Sequence, residues 1–213
     1  MKLYHYVHCP FCIRVRMGLG LLSISYESVV LPYNDELTPV QLTGVKMLPI
    51  LEISKGNAIN ESLNILKKFD ATNLLAWQAY DKLFNEVETL VSKMGSPVHS
   101  LCMPYWIWTP EFNPESRKYF QIKKEAKRGP FTNLIKNKEI SIKNLNDILS
   151  NELEEHLSPF YKSSTLTIID IMIASHLWGM YIFPEFQFTL KMHQYLQSVK
   201  DLTHFDYHQD FWK

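Results

Sequence analysis

The spacing of apolar positions changes character near residue 70. Before that point, short apolar runs bounded by turn residues alternate with longer periodic ones. Lys2–Tyr6 and Tyr26–Leu31 carry the pattern of short strands, and Pro32–Asn34 breaks the second. Phe11–Leu22 is apolar at almost every second position, which locally imitates a strand. Its length predicts a helix instead, as does the face shared by Cys12, Val15, Leu19 and Leu22 at spacings of three and four. A short helical piece follows around Leu37–Leu42. Pro49–Ile53 reads as a third strand, and Gly56-Asn57 as the turn into a fourth near Ala58 and Ile59. Ser62 stands where an N-cap belongs, ahead of the helical stripe Leu63, Ile65, Leu66 and Phe69. The order βαβ, α, ββ, α predicts a small sheet with helices on both faces.

Beyond Asp70 the strand patterns stop. Trp77–Val98 has helical spacing through Leu83, Val87, Leu90 and Met94, and Pro97, Pro104, Pro110 and Pro114 then predict a loop-rich stretch. Helical patterning returns over Lys118–Lys127 and Ile142–Leu157. In Leu166–Ile171, Thr167 reads as an N-cap with Asp170 completing a capping box, and Leu166 and Ile171 can form the hydrophobic staple. The segment Leu166–Phe183 is apolar all round but contains Asp170 and His176. It therefore reads as a buried central helix, not a membrane span. The boundary falls between Asp70 and Trp77, giving residues 1–72 to an α/β domain and 73–213 to an all-helical one. The connector is too short for a flexible linker, so the two should pack together.

Composition narrows the class. A chain of 213 residues with 46% hydrophobic content, 7 glycines and 11 prolines is neither disordered nor low in complexity. The 22 Lys and Arg balance the 22 Asp and Glu, which gives no electrostatic case for nucleic acid or an anionic membrane. Three cysteines in this length exclude a secreted disulfide framework, and the N-terminus lacks the apolar run of a signal peptide. The expected compartment is the cytoplasm.

Cys9-Pro10-Phe11-Cys12 is the strongest chemical signal. It lies where a strand ends and a helix begins, so unpaired backbone N–H groups and the helix dipole favour a thiolate there. The spacing lets Cys12 resolve a mixed disulfide formed at Cys9. The alternative is a metal or iron–sulfur site using His5, His8, Cys9 and Cys12. Strand alternation sends His5 and His8 to opposite faces, and Cys102 has no neighbouring cysteine, both of which argue against it. Taken alone, Leu48-Pro49 is expected trans, because X–Pro bonds are cis only about 5–6% of the time in folded proteins. Glu61-Ser62 reads as a helix start or as an anion site for a substrate carboxylate. Cys102 reads as a small buried hydrophobe, and His176 as a satisfied core histidine.

Met1-Lys2-Leu3-Tyr4, His8-Cys9-Pro10-Phe11-Cys12, Leu48-Pro49-Ile50-Leu51 and Glu61-Ser62 together resemble a glutaredoxin with a thioredoxin-like fold. The helical second half is similar to the two-domain bacterial type, glutaredoxin 2, notably in Arg117–Phe120, Lys123–Ala126, Gly129, Phe131 and the box Thr167–Asp170. That resemblance implies an α/β thioredoxin-like N-terminal domain plus an all-α C-terminal domain, with glutathione-transferase-like architecture. It implies Cys9 as nucleophile, Cys12 as resolving thiol, and a cis Pro49 that presents the backbone of Leu48 to glutathione. Glu61 and Ser62 would hold the γ-glutamyl end, Lys46 the glycyl carboxylate, and Phe11 would line the site. Phe11 stands where tyrosine is common, Leu48 where valine is common, and Val7 where an acidic residue is expected.

The implied activity is glutathione-dependent thiol–disulfide exchange by a monomer. Glutathione serves as co-substrate, disulfide-containing or glutathionylated proteins are the partners, and no metal is expected. The rival readings are a glutathione transferase or dehydroascorbate reductase on the same scaffold, and a non-catalytic metal or iron–sulfur carrier. Pro10 argues against the cluster carrier.

Overall fold

The computed structural model describes residues 1–208. Strand β1 (Lys2–His5) pairs in parallel with β2 (Glu27–Val30) and antiparallel with β3 (Ile50–Ser54). Strand β4 (Asn57–Asn60) closes the far edge, giving the order β2-β1-β3-β4. Leu3 and Leu51 face each other across the β1–β3 pair and are fully buried. A parallel pair needs a crossover, and α1 (Pro10–Leu21) supplies it between β1 and β2. A short α2 (Leu37–Thr43) precedes β3, and α3 (Ser62–Phe69) follows β4.

Beyond α3 the chain is helical: α4 (Trp77–Trp106), α5 (Pro114–Arg128), α6 (Phe131–Lys136), α7 (Lys138–Ile148), α8 (Ile168–Leu177) and α9 (Leu190–Thr203). Helix α4 packs on α7 and α8, while α1 packs on α3, α8 and α9. Helix α1 is thus enclosed between the sheet layer and the helical half, and from Pro10 to Leu19 only Phe11 is exposed. A helix walled on every side needs no polar stripe, which explains its strand-like apolar spacing. Its charged residues are accommodated as well. Arg14 Nη1 donates to Ser62 Oγ at 3.1 Å, and the Arg16 guanidinium lies 4.8 Å above the Phe205 ring.

Two expectations are corrected. Pro97 and Pro104 do not lie in a loop, because α4 runs through both. An interior proline costs a helix about 3 kcal/mol. Val91, Met94, Val98, Leu101 and Cys102 form a buried stripe spanning the Pro97 break, and each fully buried apolar side chain is worth about 1.5–3 kcal/mol. Burial wins, and the loop shrinks to residues 107–113. Ser62 is not an N-cap either. Glu61 occupies that position at φ 67 without a side-chain cap, and the buried Ser62 hydroxyl is held by Arg14 instead.

Helix α8 matches its sequence. Thr167 Oγ1 accepts from Ile169 N at 3.2 Å, Asp170 Oδ2 accepts from Thr167 N at 2.8 Å, and every residue of the helix is buried. The connector after α3 is pinned by Asp70. Its carboxylate accepts from Leu74 N at 2.7 Å, Leu75 N at 2.9 Å and Trp77 Nε1 at 3.0 Å. Among the described residues, no helix is long and apolar enough to cross a membrane.

Candidate active site

The chain leaves β1 at His5 and enters α1 at Pro10, so Cys9 becomes the N-cap, with extended backbone at φ −79, ψ 120. Its carbonyl accepts from Ile13 N at 3.0 Å. Proline at the first helical position wastes no donor, since that N–H would be unpaired. The Cys9 thiol is half-buried and the Cys12 thiol fully buried; both are free. Cys12 Sγ also accepts from Tyr6 N at 3.4 Å. A hydrogen bond from the Cys12 thiol pulls the Cys9 pKa down to about 6, and despite the opposing effect of burial the His8 charge and the Cys12 and Phe11 amides act in the same direction. Burial pushes Cys12 well above the ordinary thiol value, and its bond to Cys9 adds to that. One sulfur is poised as the anion while its neighbour keeps the proton.

The other sequence candidates surround this turn. The Leu48–Pro49 bond is cis, as the family resemblance implies and contrary to the trans form favoured by the residues alone. The Leu48 side chain is buried. Glu61 is exposed and its backbone sits in the left-handed region at φ 67, a conformation that costs a non-glycine residue about 1–3 kcal/mol. Lys46 turns towards the helical half, with Nζ 3.2 Å from Glu36 Oε1, 3.3 Å from Tyr119 Oη and 4.5 Å above the Tyr119 ring. Phe11 is 47% exposed, with Arg14 5.1 Å from its ring centroid and His176 edge-on at 5.7 Å. Phe11, Arg14, Gly95, His99, Arg128 and His176 line an open groove of about 430 Å³ beside the motif.

Sequence reasoning missed Glu111. This residue lies in the turn between α4 and α5, and its Oε1 accepts from the His8 backbone N–H at 2.9 Å and from His8 Nδ1 at 2.5 Å. Burial alone would raise the Glu111 carboxyl, but the hydrogen bond and charge of His8 hold it below the usual carboxylate range. The His8 ring is boxed by Tyr6, Tyr33, Trp106, Phe112 and Phe120, with centroids 5.2–5.6 Å away. No local signal marks Glu111, which is 103 residues from His8 in a stretch that reads as a loop.

Of the remaining candidates, His5 and Cys102 separate from the motif. His5 Nε2 lies 2.7 Å from Ser28 Oγ, well away in partnership from the His8–Glu111 pair. Among the described residues, no group of three or more His, Cys, Asp or Glu side chains is placed to hold a metal ion. Cys102 Sγ donates to Gly179 O at 3.1 Å, and burial raises its pKa. His176 Nδ1 bonds to Met172 O at 2.9 Å, and burial pushes its pKa down to about 3. Cys102 is a core residue, as the sequence suggests, whereas His176 is buried and hydrogen-bonded but also lines the groove beside Phe11.

Comparison with known proteins gives concordant matches. Residues 86–211 match a family model described as the glutaredoxin 2 C-terminal domain, and residues 3–73 one described as the glutathione S-transferase N-terminal domain. Glutaredoxin 2 of Escherichia coli (strain K12) is 36% identical over 155 residues, which cover 70% of this chain and 70% of that protein. The crystal structure of glutaredoxin 2 from Salmonella typhimurium, in complex with glutathione, superposes with a TM-score of 0.83 at 30% identity. That match covers 96% of this chain and 95% of the other. A glutathione transferase from Phanerochaete chrysosporium shares the fold, with a TM-score of 0.74 at 16% identity over 97% of this chain and 100% of its own.

Proposed function

Because the chain belongs to the glutaredoxin 2 family, we propose that it is a glutathione-dependent thiol–disulfide oxidoreductase whose nucleophile is Cys9. The observation that carries this reading is the divided pair at the start of α1. Cys9 is half-exposed with its pKa lowered to about 6, and Cys12 is buried and held protonated behind it. The thiolate is the attacking species in disulfide exchange, so the more acidic and less buried Cys9 reacts first.

With a glutathionylated protein, the Cys9 thiolate attacks the glutathione sulfur and the protein thiolate leaves. A second glutathione thiolate then attacks the glutathione sulfur on Cys9, releasing oxidised glutathione and restoring the Cys9 thiolate. With a protein disulfide, Cys9 forms a mixed disulfide with the protein. Cys12 gives up its proton and attacks Cys9 Sγ, releasing the reduced protein and leaving a Cys9–Cys12 disulfide. Two molecules of glutathione reduce that bond and become oxidised glutathione.

The backbone of Leu48 is assigned as the partner strand for glutathione's cysteinyl unit. Ser62, fixed by Arg14, and Glu61 are assigned to the γ-glutamyl end, Lys46 to the glycyl carboxylate and Phe11 to the rim. The unit boundary is placed between residues 72 and 73, and the working form is taken as the monomer in the reducing cytoplasm, an assignment that suits three free thiols. The groove beside Phe11 favours a second reading, transfer of glutathione to an electrophile bound there. The deciding assay uses purified protein with glutathione, glutathione reductase and NADPH. Turnover of a glutathionylated peptide supports the redox reading, whereas conjugation of a model electrophile without such turnover supports the transferase.

A further inference from the structure

We propose that Glu111 is a positioning residue for the thiol chemistry, acting through His8 to polarise the two active-site sulfurs in opposite directions. This deepens the reading of Cys9 as nucleophile and rests on it. Glu111 is 2% exposed and is tied to the first half of the chain from two sides. Its backbone carbonyl accepts from Tyr33 N at 3.0 Å, and its carboxylate grips both the backbone and the ring of His8, the residue preceding Cys9. Because Nδ1 donates to the carboxylate, the ring is held in one orientation against a buried anion.

The pair is oriented. Its histidine end belongs to the residue that directly precedes Cys9, where a charge on His8 favours the thiolate. Its anionic end bears on Cys12, where the Glu111 charge disfavours a second thiolate. Other ionisable groups face the same sulfurs: Tyr6 and Tyr33 beside the sheet, Arg14 on α1 and Lys124 on α5, with His99 of α4 facing His8. Among the described residues none of their side chains hydrogen-bonds to the Glu111 carboxylate, and the Tyr33 bond is to the Glu111 backbone, so changing the Glu111 side chain leaves those groups in place.

The test reads Cys9 alkylation by iodoacetamide against pH in reduced, full-length protein, with folding followed by circular dichroism. Glu111→Gln keeps an oxygen for both His8 bonds but removes the charge. Its midpoint should rise by about half a pH unit, which lowers the thiolate fraction below the midpoint about threefold. In a His8→Asn background the same change should produce no rise, because the charge acts through the ring. Glu111→Asp retains the charge on a shorter arm and gives a second reading if the glutamine variant does not fold, with a smaller rise expected. An unmoved midpoint in a folded Glu111 variant, or a rise that persists without His8, overturns the proposal even when wild-type turnover is normal. Turnover retained by a folded Cys9→Ser variant takes down the underlying assignment as well.

Discussion

Gly20 of α1 lies against Thr203 of α9 so closely that a Cβ on Gly20 would meet the Thr203 carbonyl oxygen at 2.0 Å. The obstacle is backbone at the end of a helix, not a side chain that can swing away. Gly20→Ala should therefore force α1 and α9 apart. We expect a loss of at least about 2 kcal/mol, towards the upper part of the overpacking range, seen as a fall in Tm of roughly 5–8 °C for a chain of this size. A melt unchanged within error would show that the two helices approach less closely than described.

The two cysteines should separate by assay. Cys9→Ser should abolish turnover of both glutathionylated and disulfide substrates. Cys12→Ser should keep much of the first activity, because free glutathione can release Cys9, and lose most of the second. Equal loss in both assays from a folded Cys12→Ser variant would mean the roles are misassigned.

The pH profile follows from the thiol environments. Attack needs the thiolate, so Cys9 alkylation should rise with pH through a midpoint near 6, below the ordinary thiol value of 9.0. The Cys12 thiol donates the bond that lowers Cys9 most, so Cys12→Ala should move that midpoint upward. The sign carries over to stability. A depressed thiol value stabilises the reduced fold most fully above the unfolded value, and that contribution disappears as pH falls through about 6. A midpoint near that of free cysteine would contradict the geometry at the start of α1.

Ser62 is both a proposed glutathione contact and the partner of a buried arginine. Ser62→Ala should raise the KM for glutathione several-fold. It should also cost about 1.5–3 kcal/mol of stability, as expected when a hydrogen bond to a charged group is lost. Titration with glutathione, together with urea unfolding, reads both quantities. A stability loss with unchanged KM would remove Ser62 from the binding site.

Limited proteolysis should spare the connector between α3 and α4, since Asp70 holds Leu74, Leu75 and Trp77. Asp70→Ala frees those donors and should make residues 71–76 an early cleavage site. Rapid cutting of the wild type there, with two stable fragments, would refute the expectation of two packed units.

Much of this protein is written locally. The Cys9-Pro10-Phe11-Cys12 motif needs only a strand end, a proline at the first helical position and unpaired amides, all of which neighbouring residues dictate. The Thr167–Asp170 capping box likewise closes within one turn, and the apolar composition of α8 already requires burial on every side. The sequence also carries α1 despite its misleading period, because length outweighs alternation. What required the folded chain was everything decided by distant partners. Whether Pro97 breaks α4 depends on the burial gained by Val91 and Met94 before it and Val98 and Leu101 after it. Ser62 is drawn away from capping by Arg14, 48 residues earlier. Glu111 becomes part of the site only because the turn after α4 brings its carboxylate to His8 across 103 residues. Backbone hydrogen bonding and side-chain period act over a few residues, so a sequence displays them directly. Desolvation and charge pairing depend on which surfaces meet, and only the tertiary fold determines that.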